Sequence, residues 1–262
     1  RCLHEEKSFN VAGGLRGTMF DNKFDWDFGV AHSRFEYEGK RPWLLTGPTL
    51  TYFFGGRGVA GGVDNQFWQY NASAGTWTEL TPATRPSARM ASTMTYDSVR
   101  KKIVLFGGWN STTNTLFNDT WEFDPATLAW AQITTTGTPS ARRYASLVYD
   151  ANRQRAVLFG GLSSAAYLAD TWELNLATRA WTQLTSASVS QPAGRMAAGF
   201  SYDPVAQKYV LFGGTEGTRA FGDSWEFTAA TKDWLQTATG NGQAPTARMY
   251  HTSVYHPVQQ KV

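Results

Sequence analysis

Four arginines at a fixed interval are the residues of this chain with the clearest capacity for chemistry. Arg89, Arg142, Arg195 and Arg248 follow one another at steps of 53 residues, and each closes a Pro-x-x-Arg segment: PSAR, PSAR, PAGR and PTAR. A guanidinium group binds a carboxylate through two parallel hydrogen bonds. If these side chains share one surface, they predict a site for an anionic ligand, to which Arg143 adds a further charge.

A structural role is the alternative for the same arginines. Identical residues in every copy could bridge neighbouring units, each paired with backbone carbonyl groups or with a repeated acid, Asp97, Asp150 or Asp203. Repetition favours this alternative, because ligand sites tend to break the symmetry of a repeat. The sequence leaves both roles open.

The segments around the arginines recur with them. ARMASTMTYDSVRKKIVLFGG at 88–108 returns as ARRYASLVYDANRQRAVLFGG at 141–161 and as GRMAAGFSYDPVAQKYVLFGG at 194–214. A period near 50 residues is typical of β-propeller blades. Between the second and third strands of the first full copy the sequence predicts a long polar loop, WNSTTNTLFN. We expect the four strands of that copy at 90–96, 103–106, 120–123 and 130–133.

The repeated motifs resemble those of a known family. Each copy has a hydrophobic strand that ends in two glycines (IVLFGG, AVLFGG, YVLFGG), followed by a paired apolar residue and tryptophan: Phe123 and Trp130, Leu174 and Trp181, Phe227 and Trp234, with Tyr70 and Trp77 in an earlier partial copy. This pattern is similar to the kelch repeat, as in the galactose oxidase-like and kelch-like central domains, over about residues 50–262. Leu174 departs mildly from it, and Gln66 stands where the other copies have Asp119, Asp170 and Asp223.

The resemblance implies an all-β propeller of four-stranded antiparallel blades. The glycine pair is expected to form a bend with no room for a Cβ beside the next blade. Each tryptophan is expected to bury its ring between blades. We expect a partial blade at 48–81, full blades at 86–133, 139–184 and 192–235, and a partial blade at 245–262. If the last piece completes the first, the ring closes with four blades; otherwise the chain is a fragment of a six- or seven-bladed ring.

Residues 1–47 lie outside the repeat. FDWDFGVAHSRFEYE at 24–38 alternates aromatic and polar residues and resembles a strand pair of outer-membrane β-barrel receptors. We interpret 1–47 as a β-rich N-terminal extension packed on the propeller, with a join between unrelated segments as the alternative.

The loops between second and third strands differ from copy to copy, and variable loops on a rigid scaffold are where binding usually occurs. They should lie on the same face as the arginines, because strands run alternately up and down. The predicted ligand site therefore combines Arg89, Arg142, Arg143, Arg195 and Arg248 with Trp109, Tyr167, Arg219 and Phe221.

Composition excludes several other function classes. The net charge of +3, without a Lys/Arg run, gives no case for nucleic acid, and no apolar run is long enough for a membrane helix. None of the four histidines recurs, and no hydrolase, metalloprotease or phosphate-loop motif is present, so we assign no catalytic residue, metal or cofactor. Copper oxidases of the kelch fold need a Cys–Tyr crosslink, and Cys2 lies outside the repeats.

The sequence predicts a monomeric binding module for an acidic protein, an acidic peptide or a glycan. The alternative is an enzyme, a hydrolase or carbohydrate-active protein, with its site in the loops over the central channel. Compartment is undetermined by a single cysteine, and we favour an extracytoplasmic or secreted location.

Overall fold

The computed structural model describes residues 50–58, 62–185, 190–237 and 244–255, and within these ranges the regular structure is entirely β-strand. The first sheet has three strands: β1 Leu50–Arg57, β2 Val63–Asn71 and β3 Thr76–Glu79. The second sheet comprises β4 Thr93–Asp97, β5 Lys102–Asn110, β6 Thr115–Asp124 and β7 Ala129–Ile133. The third comprises β8 Ser146–Asp150, β9 Arg155–Phe159, β10 Thr171–Asn175 and β11 Ala180–Gln183. The fourth comprises β12 Gly199–Asp203, β13 Lys208–Phe212, β14 Ser224–Thr228 and β15 Asp233–Thr237.

Each sheet is an antiparallel meander in chain order, and the first strands of successive four-stranded sheets, β4, β8 and β12, lie side by side. A chain of backbone hydrogen bonds joins the segments that lead into these strands: Tyr144 N–H donates to Ala91 O, Ala197 N–H to Tyr144 O and Tyr250 N–H to Ala197 O, at 2.9–3.0 Å. The predicted all-β propeller of antiparallel blades is confirmed.

The hairpins between first and second strands follow from their aspartates. Asp97 Oδ1 accepts the backbone N–H groups of Val99 and Arg100, and Asp203 Oδ1 does the same for Val205 and Ala206. An aspartate that satisfies the backbone two and three residues ahead specifies a tight turn. The aspartate at the end of each first strand therefore favours the turn locally.

The prediction of a long loop in the first full copy of the repeat, which forms the second blade (β4 to β7), is wrong. β5 and β6 run on past the expected strand ends and pair through Gly108 with Phe117 and Trp109 with Leu116, beyond a bulge between Phe106 and Gly108. Asn110 Oδ1 accepts the N–H groups of residues 112 and 113, which closes a short turn. The polar sequence predicts a loop here because the hairpin projects beyond the blade, where its strands are not buried on an apolar face.

Three tryptophans fill the seams between blades in like surroundings. Trp130, Trp181 and Trp234 are each 4% exposed. Trp130 packs on Phe67 of the first sheet, Trp181 on Phe106 of the second and Trp234 on Phe159 of the third, with ring centroids 4.9–5.2 Å apart. Each ring therefore joins its own blade to the preceding one, as predicted.

The indole N–H groups show where the seams differ. Trp181 donates to Thr120 Oγ1 at 3.3 Å and Trp234 to Thr171 Oγ1 at 3.1 Å, each in the preceding blade. The first sheet has Phe67 at the corresponding position, and Trp130 Nε1 is buried without a partner among the described residues. The first seam thus replaces a hydrogen bond by extra aromatic packing.

The glycine pairs permit the closest approach between blades. Gly107 and Gly160 have φ of 64° and 65°, and a Cβ at either position would lie within 2.8 Å of the carbonyl oxygen of Arg142 or Arg195 in the next blade. The following glycine N–H donates to that same carbonyl, at 2.9 Å in both cases. The prediction of a bend with no room for a Cβ is confirmed.

Residues 244–255 pack against the fourth blade, where Arg248 N–H donates to Phe221 O and Tyr250 N–H to Ala197 O, at 3.0 Å each. None of these residues belongs to a strand or pairs with β1 in the part of the chain that the structure describes, so it gives no support for closure of a four-bladed ring by this segment. The expectation for residues 1–47 lies outside the described residues. No helix long and apolar enough to cross a membrane occurs among those described.

The seam hydrogen bonds predict a measurable stability difference. Replacing Thr120 or Thr171 by Val leaves a buried indole N–H without its acceptor, and we expect a loss of about 1 to 3 kcal/mol in the free energy of unfolding. Urea denaturation of the purified chain measures this. Thr182→Val, the same change at an exposed position of β11, is the control and should stay within about 0.5 kcal/mol of the parent. Equal effects at all three sites would contradict the assigned bonds.

Candidate functional site

The repeated arginines are held inside their own blades by repeated aspartates. Arg142 Nη1 lies 2.6 Å from Asp170 Oδ1, and its Nη2 lies 2.9 Å from Asp170 Oδ2. Arg89 with Asp119 and Arg195 with Asp223 have the same two-bond geometry. The order of the strands explains this pairing. Asp170 and Asp223 stand just before the third strand of their blades and Asp119 at the matching point of β6, on the face where the first strand is entered.

The remaining guanidinium donors are also used. Arg142 Nε donates to Ser140 O, Nη1 also to Gly160 O, and Nη2 also to Ser140 Oγ. The Pro-Ser-Ala-Arg motif thus supplies acceptors two residues before the arginine that they bind. With five N–H groups bonded within the protein, Arg142 has none left for a ligand.

Burial corrects the predicted role of three site residues. Arg89, Arg142 and Arg195 are at most 1% exposed, so they cannot rim a ligand site as expected. Their role is the structural one, but the acids named for it were wrong. Asp97, Asp150 and Asp203 end the first strand, at the opposite end of the blade from the arginine that precedes that strand.

The aspartate also binds the tryptophan two residues later. Asp223 Oδ2 accepts from Trp225 Nε1 at 2.7 Å, and Asp119 and Asp170 accept from Trp121 and Trp172 in the same way. Burial by itself would raise the pKa of Asp223, but the bonds from Arg195 and Trp225 outweigh it and hold the pKa below its ordinary value. This carboxylate is therefore fixed in its charged form and is poorly suited to acid–base chemistry.

We call the end of the blades where first strands are entered and second strands turn into third strands the entry face. On this face Arg143 stacks over the ring of Trp109, with Cζ 4.0 Å from the ring centroid. Trp109 Nε1 in turn donates to Asn114 Oδ1 of its own hairpin, at 3.3 Å. The projecting hairpin of the second blade therefore places Trp109 beneath the arginine of the third, and the structure brings these two predicted site residues together.

A second group forms at the fourth blade. Phe221 is buried between two guanidinium groups, Arg195 at 3.9 Å and Arg219 at 5.3 Å from its ring centroid. Arg219 has 74% of its side chain exposed and is within 3.7 Å of Glu216. Tyr167 of the third blade reaches this loop, since a Cβ on Gly217 would lie 3.0 Å from its hydroxyl. Phe221 is buried beneath the exposed Arg219, and Tyr167 is half-buried beside them.

Two tyrosines belong to the same face and were not predicted. Tyr144 and Tyr250 contact each other edge to face, with centroids 5.4 Å apart. They occupy the second position after the repeated arginine, where the other units have Ala91 and Ala197. The change between Ala and Tyr at this position could have indicated the two tyrosines in the sequence. It is easily missed because the surrounding segment repeats.

Arg248 differs from its three counterparts. Its side chain is exposed and bonds only to Thr246, through the carbonyl oxygen and Oγ1, among the described residues. Beyond the first two blades, the charged entry-face groups outside the repeated Arg–Asp pairs are Arg143, Arg219, Arg248 and Glu216, of which Arg219 and Glu216 lie 3.7 Å apart. This part of the face therefore carries a net positive charge.

No group of three or more His, Cys, Asp or Glu side chains that could hold a metal occurs within the described ranges. Guanidinium groups outnumber carboxylates on this part of the entry face, three to one, and hydroxyl and indole groups lie beside them. What this arrangement can do chemically is bind acceptor groups, carboxylates above all.

Four-stranded blades with a Gly pair, a buried Arg–Asp–Trp network and tryptophan-filled seams define a kelch-type β-propeller. Residues 45–262 match the family model described as the KLHDC2/KLHL20/DRC7 Kelch-repeats domain, and the chain belongs to this family. Domains of this family generally mediate protein interaction.

Individual relatives are more distant. Kelch domain-containing protein 10 of Homo sapiens is 29% identical over 160 residues, which cover 56% of this chain and 35% of that protein. Kelch domain-containing protein 3 of Bos taurus is 26% identical over 210 residues, 75% of this chain and 53% of that protein. The chain thus spans between about a third and about half of the length of these relatives.

Neighbouring arginines give a direct test of the two roles. Arg142→Ala leaves the Asp170 carboxylate without its buried partner, and we expect a loss of about 3 to 5 kcal/mol in the free energy of unfolding. Arg143→Ala, one residue away, removes a half-buried side chain that stacks on Trp109 and should cost about 1 kcal/mol. Chemical denaturation of both variants compares them. A similar loss for the two would contradict the assignment of Arg142 to the frame and of Arg143 to the surface.

Proposed function

We propose that this kelch propeller binds an acidic segment of a partner protein across its entry face. The observation that carries the proposal is the charge of the third and fourth blades and of residues 244–255, where Arg143, Arg219 and Arg248 are offset only by Glu216 among the described groups. Positive potential on a surface concentrates anionic partners and fixes their register.

The arginines are prepared for such a ligand to different degrees. Stacking on Trp109 fixes the plane of the Arg143 guanidinium, so less side-chain entropy is lost when it binds a carboxylate. Arg219 stacks on Phe221, and Arg248 donates a hydrogen bond to the carbonyl oxygen of Thr246. Both guanidinium groups still have exposed N–H donors for a ligand. A peptide with several carboxylates can engage the three in turn.

The aromatic groups favour a peptide over a glycan. Sugar binding uses open aromatic ring faces, and the ring surface here is reduced, because Arg143 covers one face of Trp109 and Tyr144 and Tyr250 contact each other edge to face. These rings are better placed to support apolar side chains between acidic residues. We therefore place a glycan second.

The proposal is tested with a fluorescein-labelled (Glu-Phe)4 octapeptide, titrated by fluorescence anisotropy. Replacing Arg143, Arg219 and Arg248 together by Gln should weaken binding about tenfold, since a surface ionic contact contributes about 0.5 kcal/mol and three contribute about 1.5 kcal/mol. Affinity for the parent should also fall as salt rises from 50 to 300 mM, because exposed charges are screened.

The control variant carries the same change of charge on the opposite face. Arg155 begins β9, and Arg179 and Lys232 lie in turns, all at the other end of the blades, and their triple Gln variant should bind as the parent does. The neutral (Gln-Phe)4 peptide should not bind. Equal loss in both triple variants, or binding of neutral cellohexaose in place of the acidic peptide, would overturn the proposal.

A further inference from the structure

One residue of the segment 244–255 breaks the repeat where all other units agree. His251 stands three residues after the repeated arginine, at the position that Ser92, Ala145 and Ala198 occupy in the preceding units. Those units need a small residue there because a glycine of their own blade approaches it: a Cβ on Gly161 or Gly214 would lie 3.0 Å from the Cβ of Ala145 or Ala198. His251 is used differently.

The imidazole of His251 is wedged into the fourth blade. It meets the ring of Phe212 edge to face, with centroids 5.4 Å apart. A Cβ on Gly199 would lie 2.6 Å from its Nε2, and a Cβ on Gly213 would lie 2.9 Å from its Cε1. Both ring nitrogens are buried, and neither makes a hydrogen bond of ordinary geometry with a described residue.

The wedge lies among the backbone bonds that dock this segment. Arg248 N–H donates to Phe221 O, Gly214 N–H donates to Arg248 O, and Tyr250 N–H donates to Ala197 O, at 2.8–3.0 Å. Arg248 and Tyr250 are two of the entry-face residues described above. Whatever moves His251 out of the blade therefore moves part of that face.

The surroundings oppose a charge on His251. Gly199 of β12, Phe212 of β13 and Gly213 bring no ionisable side chain to the ring. Of the charged groups nearby, Arg248 lies on its own segment and repels a proton, Asp203 lies at the far end of β12, and Asp223 is bound on both oxygens by Arg195. Burial first, and Arg248 second, lower the pKa of His251 below its ordinary value, and the backbone of Phe212 offsets them only in part.

We propose that His251 is a pH-sensitive latch, whose protonation releases residues 244–255 from the fourth blade and weakens ligand binding at the entry face. The regulatory part rests on the proposed function, whereas the release does not. The neutral ring fits the blade and the charged ring does not, so docking is fully stable above the pKa of the free imidazole, about 6.5, and is progressively lost below it.

Hydrogen exchange of the Arg248 and Tyr250 amides tests the release. Between pH 7.5 and 5.5, after correction for intrinsic exchange rates, protection in the parent should fall by up to about tenfold, the limit set by a free imidazole pKa of about 6.5. His251→Phe keeps a ring in the wedge without a titrating group, and His251→Ser restores the residue type of the second blade. In both variants protection should not change with pH. A parent insensitive to pH, or variants that respond as the parent does, would overturn the latch.

Anisotropy with the (Glu-Phe)4 peptide at the same two pH values tests the regulation. The parent should lose affinity about as much as it loses protection, and His251→Phe should not. If the peptide binds equally at both pH values while protection falls, the latch does not regulate the site. If protection falls but the peptide binds at neither pH, the proposed function fails and the latch stands.

Discussion

The packing of the blades depends on the repeated arginine, which forms one set of hydrogen bonds through its backbone and another through its side chain. The backbone of each repeated arginine binds the preceding sheet, through the carbonyl that accepts from the second glycine and the N–H that donates to a carbonyl in or just before a neighbouring strand. The side chains of Arg89, Arg142 and Arg195 each bind their own blade through an aspartate. Since an unpaired buried charge costs several kcal/mol, neither the aspartate nor the arginine can be lost alone. The blades are therefore joined by the interaction that also orders each blade internally.

The repeated residues hold the blades together, and the residues that differ between copies include those of the entry face. At Arg142, Gly160 and Asp170, where the repeat is kept, the residue is buried or half-buried and bonded within the blades. At Arg143, Tyr144 and His251, where the repeat is broken, the side chain lies at the entry face or at the edge of a blade. Because adjacent residues belong to the two classes, a rigid backbone places the variable groups without further support.

The fold was predictable because its signals are local and repeated: glycine pairs, turn aspartates and seam tryptophans each act within one or two blades. The site was predictable only in part. Trp109, Arg219 and Tyr167 were named from loops that break the repeat and Arg143 from the charge that it adds beside Arg142, but the burial of Arg89, Arg142 and Arg195 was not predicted. The pairing of Arg89 with Asp119 depends on which strand ends lie together. The sequence did not distinguish Asp119 from Asp97, because both aspartates recur in every full copy. The extended hairpin of β5 and β6 escaped because its register is set by the bulge at Gly107 and not by an apolar pattern.

The first seam shows what the repeat tolerates. Phe67 for threonine and Gln66 for aspartate leave the indole N–H groups of Trp130 and Trp68 buried without partners among the described residues. Tyr52, Phe67, Phe123 and Trp130 form a denser aromatic cluster there than at the other described seams. Apolar packing can offset a lost hydrogen bond because both act on the same buried ring. The buried arginine has no such substitute, since only an anion neutralises its charge. For this reason the Arg–Asp pair is common to every complete blade that the structure describes, whereas the hydrogen bond of the seam tryptophan to a threonine of the preceding blade is not.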